Sequence, residues 1–177
     1  SHLSKNDIIF LYSVQEMITP EFLPLIHQIS NFPIIIRPLD MEQMTGGCHF
    51  NYGCSGYIDS CSKCPQIKFS RIFDISRKNL LRKKKAYSSI DFHIIVSNSY
   101  VKSLAKKSNL FSNKDVKVIY LGVDPIRYKQ VSKKIAREKL KLPINDKIVI
   151  FGCLNLGNPR KFSNLLKKSL SEMISKM

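Results

Sequence analysis

Short blocks of β-branched and aromatic residues alternate along this chain with longer, more polar stretches of helical period. Residues 7–12 (DIIFLY), 33–37 (PIIIR), 92–97 (FHIIVS) and 116–120 (VKVIY) are near-continuous apolar runs, the pattern of buried strands. Between the first two, Thr19-Pro20-Glu21 reads as a helix start, with Thr as cap, Pro at the first helical position and Glu at the positive end of the dipole. Phe22, Leu25, Ile26 and Ile29 then form one apolar stripe, which leaves His27 off it and solvated. Residues 76–88 read as a second helix, with Leu80, Leu81 and Tyr87 inward and Arg82, Lys83, Lys84 and Lys85 outward. Ser97-Asn98-Ser99 supplies cap chemistry for a third helix, which carries Val101, Leu104 and Ala105 on one side and closes with a latch at residues 109–111. His93 reads as a satisfied core or edge histidine of its strand. Strand, helix and strand in this order assemble as βαβ units, so the expected class is α/β with a Rossmann-like parallel sheet.

Beyond the fourth strand the chain runs into Leu121-Gly122-Val123-Asp124-Pro125, the composition of a hinge. Residues 132–140 (SKKIAREKL) predict a short helix with Ile135, Ala136 and Leu140 inward. Residues 147–151 (KIVIF) predict the first strand of a second sheet. A last helix follows Asn158-Pro159, with Phe162, Leu165, Leu166, Leu170, Met173 and Ile174 at helical spacing. The domain division read from this is 1–127, a linker with a helix at 128–143, and the start of a second domain at 144–177.

Composition changes the picture mainly through charge. A hydrophobic content of 44% in 177 residues is ordinary for a globular chain. No apolar run reaches the length of a membrane span and no signal peptide is visible, so a cytoplasmic address with reduced cysteines is the expectation. The formal charge of +16 is not ordinary. It points to an anionic partner (nucleic acid, an acidic membrane face or a phosphorylated substrate) or to a general enrichment in lysine. Half of it lies in residues 63–85, where nine Lys and Arg face one acid, Asp74. That run is a solvated face or a surface for an anionic membrane or acidic acceptor. Nucleic acid fits it least, because aromatic residues that would stack on bases are thinly interleaved.

The candidate chemistry is concentrated in residues 44–66, which hold four of the five cysteines. Cys61-x-x-Cys64 is a knuckle whose sulfurs can face one metal ion, and Cys48 and Cys54 add two more, with His49 as a spare ligand. Four thiolates would suit a structural zinc and would leave no open position for a substrate. Reduced structural thiols, disulfides and an iron–sulfur cluster are the other readings. Thr45-Gly46-Gly47, just after a strand, reads either as a turn or as a ligand-facing loop at the carboxyl edge of a parallel sheet. Asp40 beside it is either a loop carboxylate capping local amides or a group facing a cleft. Arg160 and Lys161 follow the helix start at Asn158-Pro159. There they are either two solvated cations or a phosphate site at the positive end of a helix.

The order Leu39-Asp40-Met41-x-x-Met44-Thr45-Gly46-Gly47-Cys48-His49-Phe50, then Gly53-Cys54, then Cys61-x-x-Cys64-Pro65, resembles a signature of family 4 glycosyltransferases, in the branch that acts in bacterial surface-polysaccharide synthesis. Leu121-Gly122-Val123-Asp124 and the run from Ala136 to Pro143 are similar to further segments of that family, so the resemblance covers nearly the whole chain. Departures are Leu39, where many members carry His, and Lys161-Phe162, where a glycine usually intervenes. The resemblance implies a partial GT-B fold: the second half of an acceptor-side domain and the first unit of a nucleotide-sugar-binding domain. It implies transfer of a sugar, with retention, from a nucleotide-diphosphate sugar to a polysaccharide or lipid-linked acceptor. Asp40 would serve on the acceptor side, with the loop of Thr45, Gly46 and Gly47 at the cleft; Arg160 and Lys161 would hold the donor diphosphate. No catalytic cofactor is implied, and the location would be cytoplasmic, peripheral at the inner face of the membrane. The family's first strand and glycine-rich loop would precede Ser1, and its paired glutamates would follow Met177, so the chain reads as a fragment that is inactive alone. A basic metal-knuckle module for nucleic acid, and an inactive remnant acting by protein interaction, are the competing classes.

Overall fold

A computed structural model describes residues 4, 6–14, 17–67, 74–155 and 157–175. Ser1-His2 and two of the basic positions counted above, Lys68 and Arg71, lie outside these. The chain divides into two units, Ser1–Val123 and Asp124–Met177.

The first unit is α/β. Its four strands, β1 (Ile9–Tyr12), β2 (Ile34–Arg37), β3 (His93–Val96) and β4 (Val116–Val118), form one all-parallel sheet in the order β1-β2-β3-β4, the Rossmann-like arrangement expected from the alternation. The register aligns Ile9 with Ile34, Ile36 with Ile94 and Ile94 with Val116, so alternate residues of every strand share one face. Ile34, Ile36, Ile94, Val96 and Val116 on that face are buried to 2% exposure or less. The other face carries Phe10, Tyr12, His93 and Lys117 and is far more open. The first strand is therefore an edge strand with Phe10 and Tyr12 half-exposed, not buried on both faces as its composition suggested. His93 is likewise exposed.

Three helices cross between the strands: α1 (Phe22–Ser30), α2 (Ile75–Ser88) and α3 (Ser99–Lys107). The second helix starts at Asp74, whose side chain accepts from the Arg77 amide, and the third at Asn98, whose Oδ1 accepts from the Val101 amide at 2.8 Å. Tyr87, Phe92 and Phe111 make an aromatic cluster with ring centroids 5.3–6.1 Å apart, and this closes the core behind α2 and α3. Two helix faces differ from expectation. In α1 the buried residue is Leu23, while Phe22, Leu25 and Ile29 face outward. That helix has apolar residues over more than one stripe, and the 23/26/27/30 face wins the packing, which draws in His27. In α2 Leu81 is exposed and Lys83 is buried. The inward stripe is Ser76, Leu80, Lys83 and Tyr87, spaced 4, 3 and 4, and helix geometry places Lys83 at its centre whatever its charge.

The second unit contains α4 (Lys133–Lys139), a single 3-10 turn (Pro159–Lys161) and α5 (Ser163–Ile174). Residues 147–151 form no strand. A strand needs a hydrogen-bonding neighbour, and among the described residues this unit offers none, so Ile150 stands 87% exposed. The stripes expected to face inward are also unburied: Ile135 and Leu140 of the α4 region, and Leu165, Met173 and Ile174 of α5, are all exposed. No helix among the described residues is long and apolar enough to cross a membrane.

Candidate functional site

After β1 and β2 the chain leaves the sheet at its carboxyl edge, where open parallel sheets place ligands. The two exits and the inner face of α2 enclose a pocket of about 280 Å³. Thr19 and Pro20 come from the approach to α1 and Leu23 from its first turn; Glu42, Gln43, Gly47 and His49 from the loop after β2; Asn79, Lys83 and Tyr87 from α2.

The loop is held from beneath by Lys83, whose side chain is 6% exposed. Its ammonium donates to the Glu42 carbonyl at 2.5 Å, to the Thr45 carbonyl at 3.2 Å and to the Glu42 carboxylate. Three protons thus meet three acceptors, which is what a buried ammonium requires. Thr45 is fully buried; its hydroxyl donates to the Cys48 carbonyl at 3.1 Å and accepts from the Gly47 amide at 3.1 Å. Gly46 packs directly on α2: a Cβ there would lie 2.2 Å from the Ser76 carbonyl oxygen. Gly47 takes a φ of 132° and lines the pocket. Of the three loop positions singled out in the sequence, then, Thr45 and Gly46 hold the loop to the helix and Gly47 meets the open space.

Asp40 accepts from the Glu42 amide through Oδ1 at 2.8 Å and pairs through Oδ2 with His49 Nδ1 at 2.6 Å. The imidazole is half-exposed and the carboxylate largely covered. In the neutral ring this pairing places the proton on Nδ1 and leaves Nε2 as the acceptor nitrogen. His49 belongs to this pair and lines this pocket, while the lining of the cysteine cavity does not include it. Gln43, 3% exposed, lines the pocket too, and its Oε1 has no hydrogen-bond partner among the described residues. Burial pushes the Tyr87 phenol well above its ordinary pKa, with the Glu42 carboxylate adding to it, so this phenol stays a neutral donor. Sequence reading missed Lys83, Gln43 and Asn79. The 76/80/83/87 spacing would have found Lys83, whereas Gln43 and Asn79 carry no signal of their own.

Cys48, Cys54, Cys61 and Cys64 are free thiols gathered round one small cavity on the other side of the loop. Burial pushes the Cys48 and Cys61 thiols up, and the neighbouring cysteines add to it. Among the described residues no three or more His, Cys, Asp or Glu side chains stand arranged as a ready-made metal centre.

Arg160 and Lys161 lie in the second unit, in the 3-10 turn before α5. The Asn158 side chain caps this turn by accepting from the Arg160 amide at 3.0 Å. The long helix does not begin there, as the Asn-Pro pair suggested, but at Ser163, after Phe162 in a left-handed conformation with φ 52°. Phe162 is thus the residue that adopts the backbone a glycine would favour. No protein-family model, no curated protein and no solved structure matches this chain.

Proposed function

We propose that the chain serves retaining glycosyl transfer. In this reading the reaction moves a sugar from a nucleotide-diphosphate sugar to a polysaccharide or lipid-linked acceptor. The first unit carries acceptor recognition and the second unit contacts to the donor diphosphate. The observation that supports this most is the chemistry of the pocket at the carboxyl edge of β1 and β2. Its polar lining mixes acceptors (His49 Nε2 of the neutral ring, Gln43 Oε1, the Glu42 carboxylate) with the Asn79 amide as donor, a set that suits the hydroxyls of a carbohydrate. Asp40 holds the plane of His49, so Nε2 orients the acceptor hydroxyl; its oxygen bonds to the anomeric carbon on the face the diphosphate leaves, and its proton passes to an oxygen of the departing diphosphate. Arg160 and Lys161 offset the charge that gathers on the departing diphosphate. The exposed cations of α2, Arg77, Lys78 and Lys85 beside the apolar Leu81, suit a peripheral position on an anionic membrane.

Saturation-transfer NMR on the purified chain tests the reading, with UDP- and GDP-sugars and a panel of oligosaccharides as probes. Both classes are expected to give signals that are lost independently: the oligosaccharide signals in His49→Ala, and the nucleotide signals in the double change Arg160→Ala, Lys161→Ala. Absence of saturation transfer to both classes at millimolar concentration would overturn it.

A further inference from the structure

The loop of residues 48–64 poses a physical problem. It contains only one 3-10 turn (Gly56–Ile58), and Tyr57 and Cys61 are its buried residues. It also concentrates backbone strain: Tyr52, Cys61 and Lys63 have φ of 48°, 50° and 51°, in the left-handed region that side chains disfavour. Such conformations persist where the surroundings over-determine them.

Part of what holds them is visible. The Lys63 amide donates to the Asp74 carboxylate, and the Ser76 hydroxyl lies within reach of both the Cys61 carbonyl and that carboxylate, so α2 grips the loop at its last turn. The rest of the arrangement converges on sulfur. All four cysteine side chains of the loop line one cavity of about 30 Å³, which holds one water-sized occupant. Two backbone amides are aimed at two of the sulfurs: Gly46 N–H donates to Cys61 Sγ at 3.2 Å, and Gly56 N–H to Cys54 Sγ at 3.3 Å. A thiol accepts such bonds weakly and a thiolate strongly, so these amides are placed for negative sulfur. The fifth cysteine, Cys153, lies in the second unit.

We infer that Cys48, Cys54, Cys61 and Cys64 bind a single structural zinc ion that staples this loop against the start of α2. The donor set is four soft ligands, for which a tetrahedral zinc at about 2.3 Å from each sulfur is the matching geometry. The cavity the four cysteines share is on the scale of a single ion. The sulfurs face the cavity without being drawn into a ligand set, so binding entails rotation of the cysteine side chains and closes the loop round the ion. This inference stands apart from the glycosyl-transfer reading, since a saturated four-sulfur site has no position for substrate.

Metal analysis of the full chain purified under reducing conditions tests it. Zinc at about one per chain is expected. Cys61→Ser and Cys64→Ser are expected to lose it, while Cys153→Ser keeps it. Because loss of metal in the first two variants could equally follow from unfolding, the wild-type chain is reloaded with cobalt(II). The intense near-ultraviolet charge-transfer and visible bands of a tetrahedral tetrathiolate site are expected, and they should bleach on titration with one equivalent of zinc. Folded metal-free protein whose melting temperature zinc and chelator both leave unchanged would overturn the inference. So would disulfides among the four cysteines in the native chain, or iron with acid-labile sulfide in place of zinc.

Discussion

Replacing Lys83 by Met keeps most of the side chain's length and apolar stem and removes only the ammonium. In the structure that ammonium is the common partner of the Glu42 carboxylate and of two loop carbonyls, those of Glu42 and Thr45. Stripping one member from a buried ion pair costs about 3–5 kcal/mol, because the remaining charge stays buried without a counter-charge. The Glu42 side chain retains 20% exposure, so water relieves part of that penalty. The orphaned Thr45 carbonyl works the other way, at about 1–3 kcal/mol for an unsatisfied buried acceptor. The balance is a loss of about 3 kcal/mol, a large share of the 5–15 kcal/mol that typically holds a domain together.

The assay is urea unfolding followed by tyrosine fluorescence. The chain has no tryptophan, and Tyr87, packed between Phe92 and Phe111, reports on the region that Lys83 anchors. Lys84→Met, one position round the helix and exposed, is the control and is expected within about 0.5 kcal/mol of the wild type. The double change Lys83→Met, Glu42→Gln should recover at least about 1 kcal/mol relative to the sum of the single changes, since the two side chains are in contact. A Lys83→Met protein as stable as Lys84→Met, or strict additivity with Glu42→Gln, would refute the view that this lysine is the keystone of the loop.

Gly46→Ala is expected to cost at least about 1–3 kcal/mol in the same urea assay, because the added Cβ would meet the Ser76 carbonyl at 2.2 Å and neither backbone can give way cheaply. Asp74→Ala should lose about 2 kcal/mol, combining the cap of α2 with the tie to the Lys63 amide; amide exchange at Lys63 and Arg77 should accelerate. Phe162→Gly should stabilise the start of α5 by about 0.5–1 kcal/mol, since relief of the left-handed strain exceeds the added chain entropy and the exposed ring loses little packing; the helical ellipticity of the chain should rise. Glu21 is held down from its ordinary 4.5 to about 2, chiefly by its hydrogen bonds to the Arg82 guanidinium. Its contribution is therefore fully present above pH 4.5 and is lost as pH falls through about 2. An Arg82→Gln chain should show a weaker acid-side fall in melting temperature over that window, by a small amount because the pair is exposed.

The sheet was legible because it rests on composition: four dense β-branched runs, each followed by helical spacing, leave few alternatives to βαβ packing. Position within the sheet was not legible. An edge strand and a central strand read alike, and only pairing shows that Phe10 and Tyr12 lie on an open face. Where charge and periodicity disagreed, as at Lys83, charge was the poorer guide, since an ammonium with three acceptors can be buried and those acceptors lie about forty residues away. The pairing of His49 with Asp40, nine residues apart across an irregular loop, has no local code at all. Residues 147–151 are the reverse case: a correct strand composition with no neighbouring strand among the described residues to complete it.

One consequence of these contacts ties the pocket to the cysteines. The loop after β2 meets α2 at both ends of the helix's inner stripe. Near its N-terminus Ser76 and Asp74 hold Cys61 and Lys63; two turns on, Lys83 holds Glu42 and Thr45. Gly46 sits between these anchors with its amide on Cys61 Sγ and no room for a side chain. The sulfur cavity and the pocket therefore lie on opposite sides of one short segment, residues 42–48, whose backbone is fixed against a single helix. An occupant that tightens the cysteines acts on Gly46 and Cys48 directly, and Gly47 and His49 are their immediate chain neighbours on the pocket side. Loosening either anchor should thus degrade both sites together, whereas a change confined to the His49 ring should leave the cysteines untouched. Comparing Gly46→Ala with His49→Ala for thiol reactivity and for ligand signals separates a shared support from two independent sites.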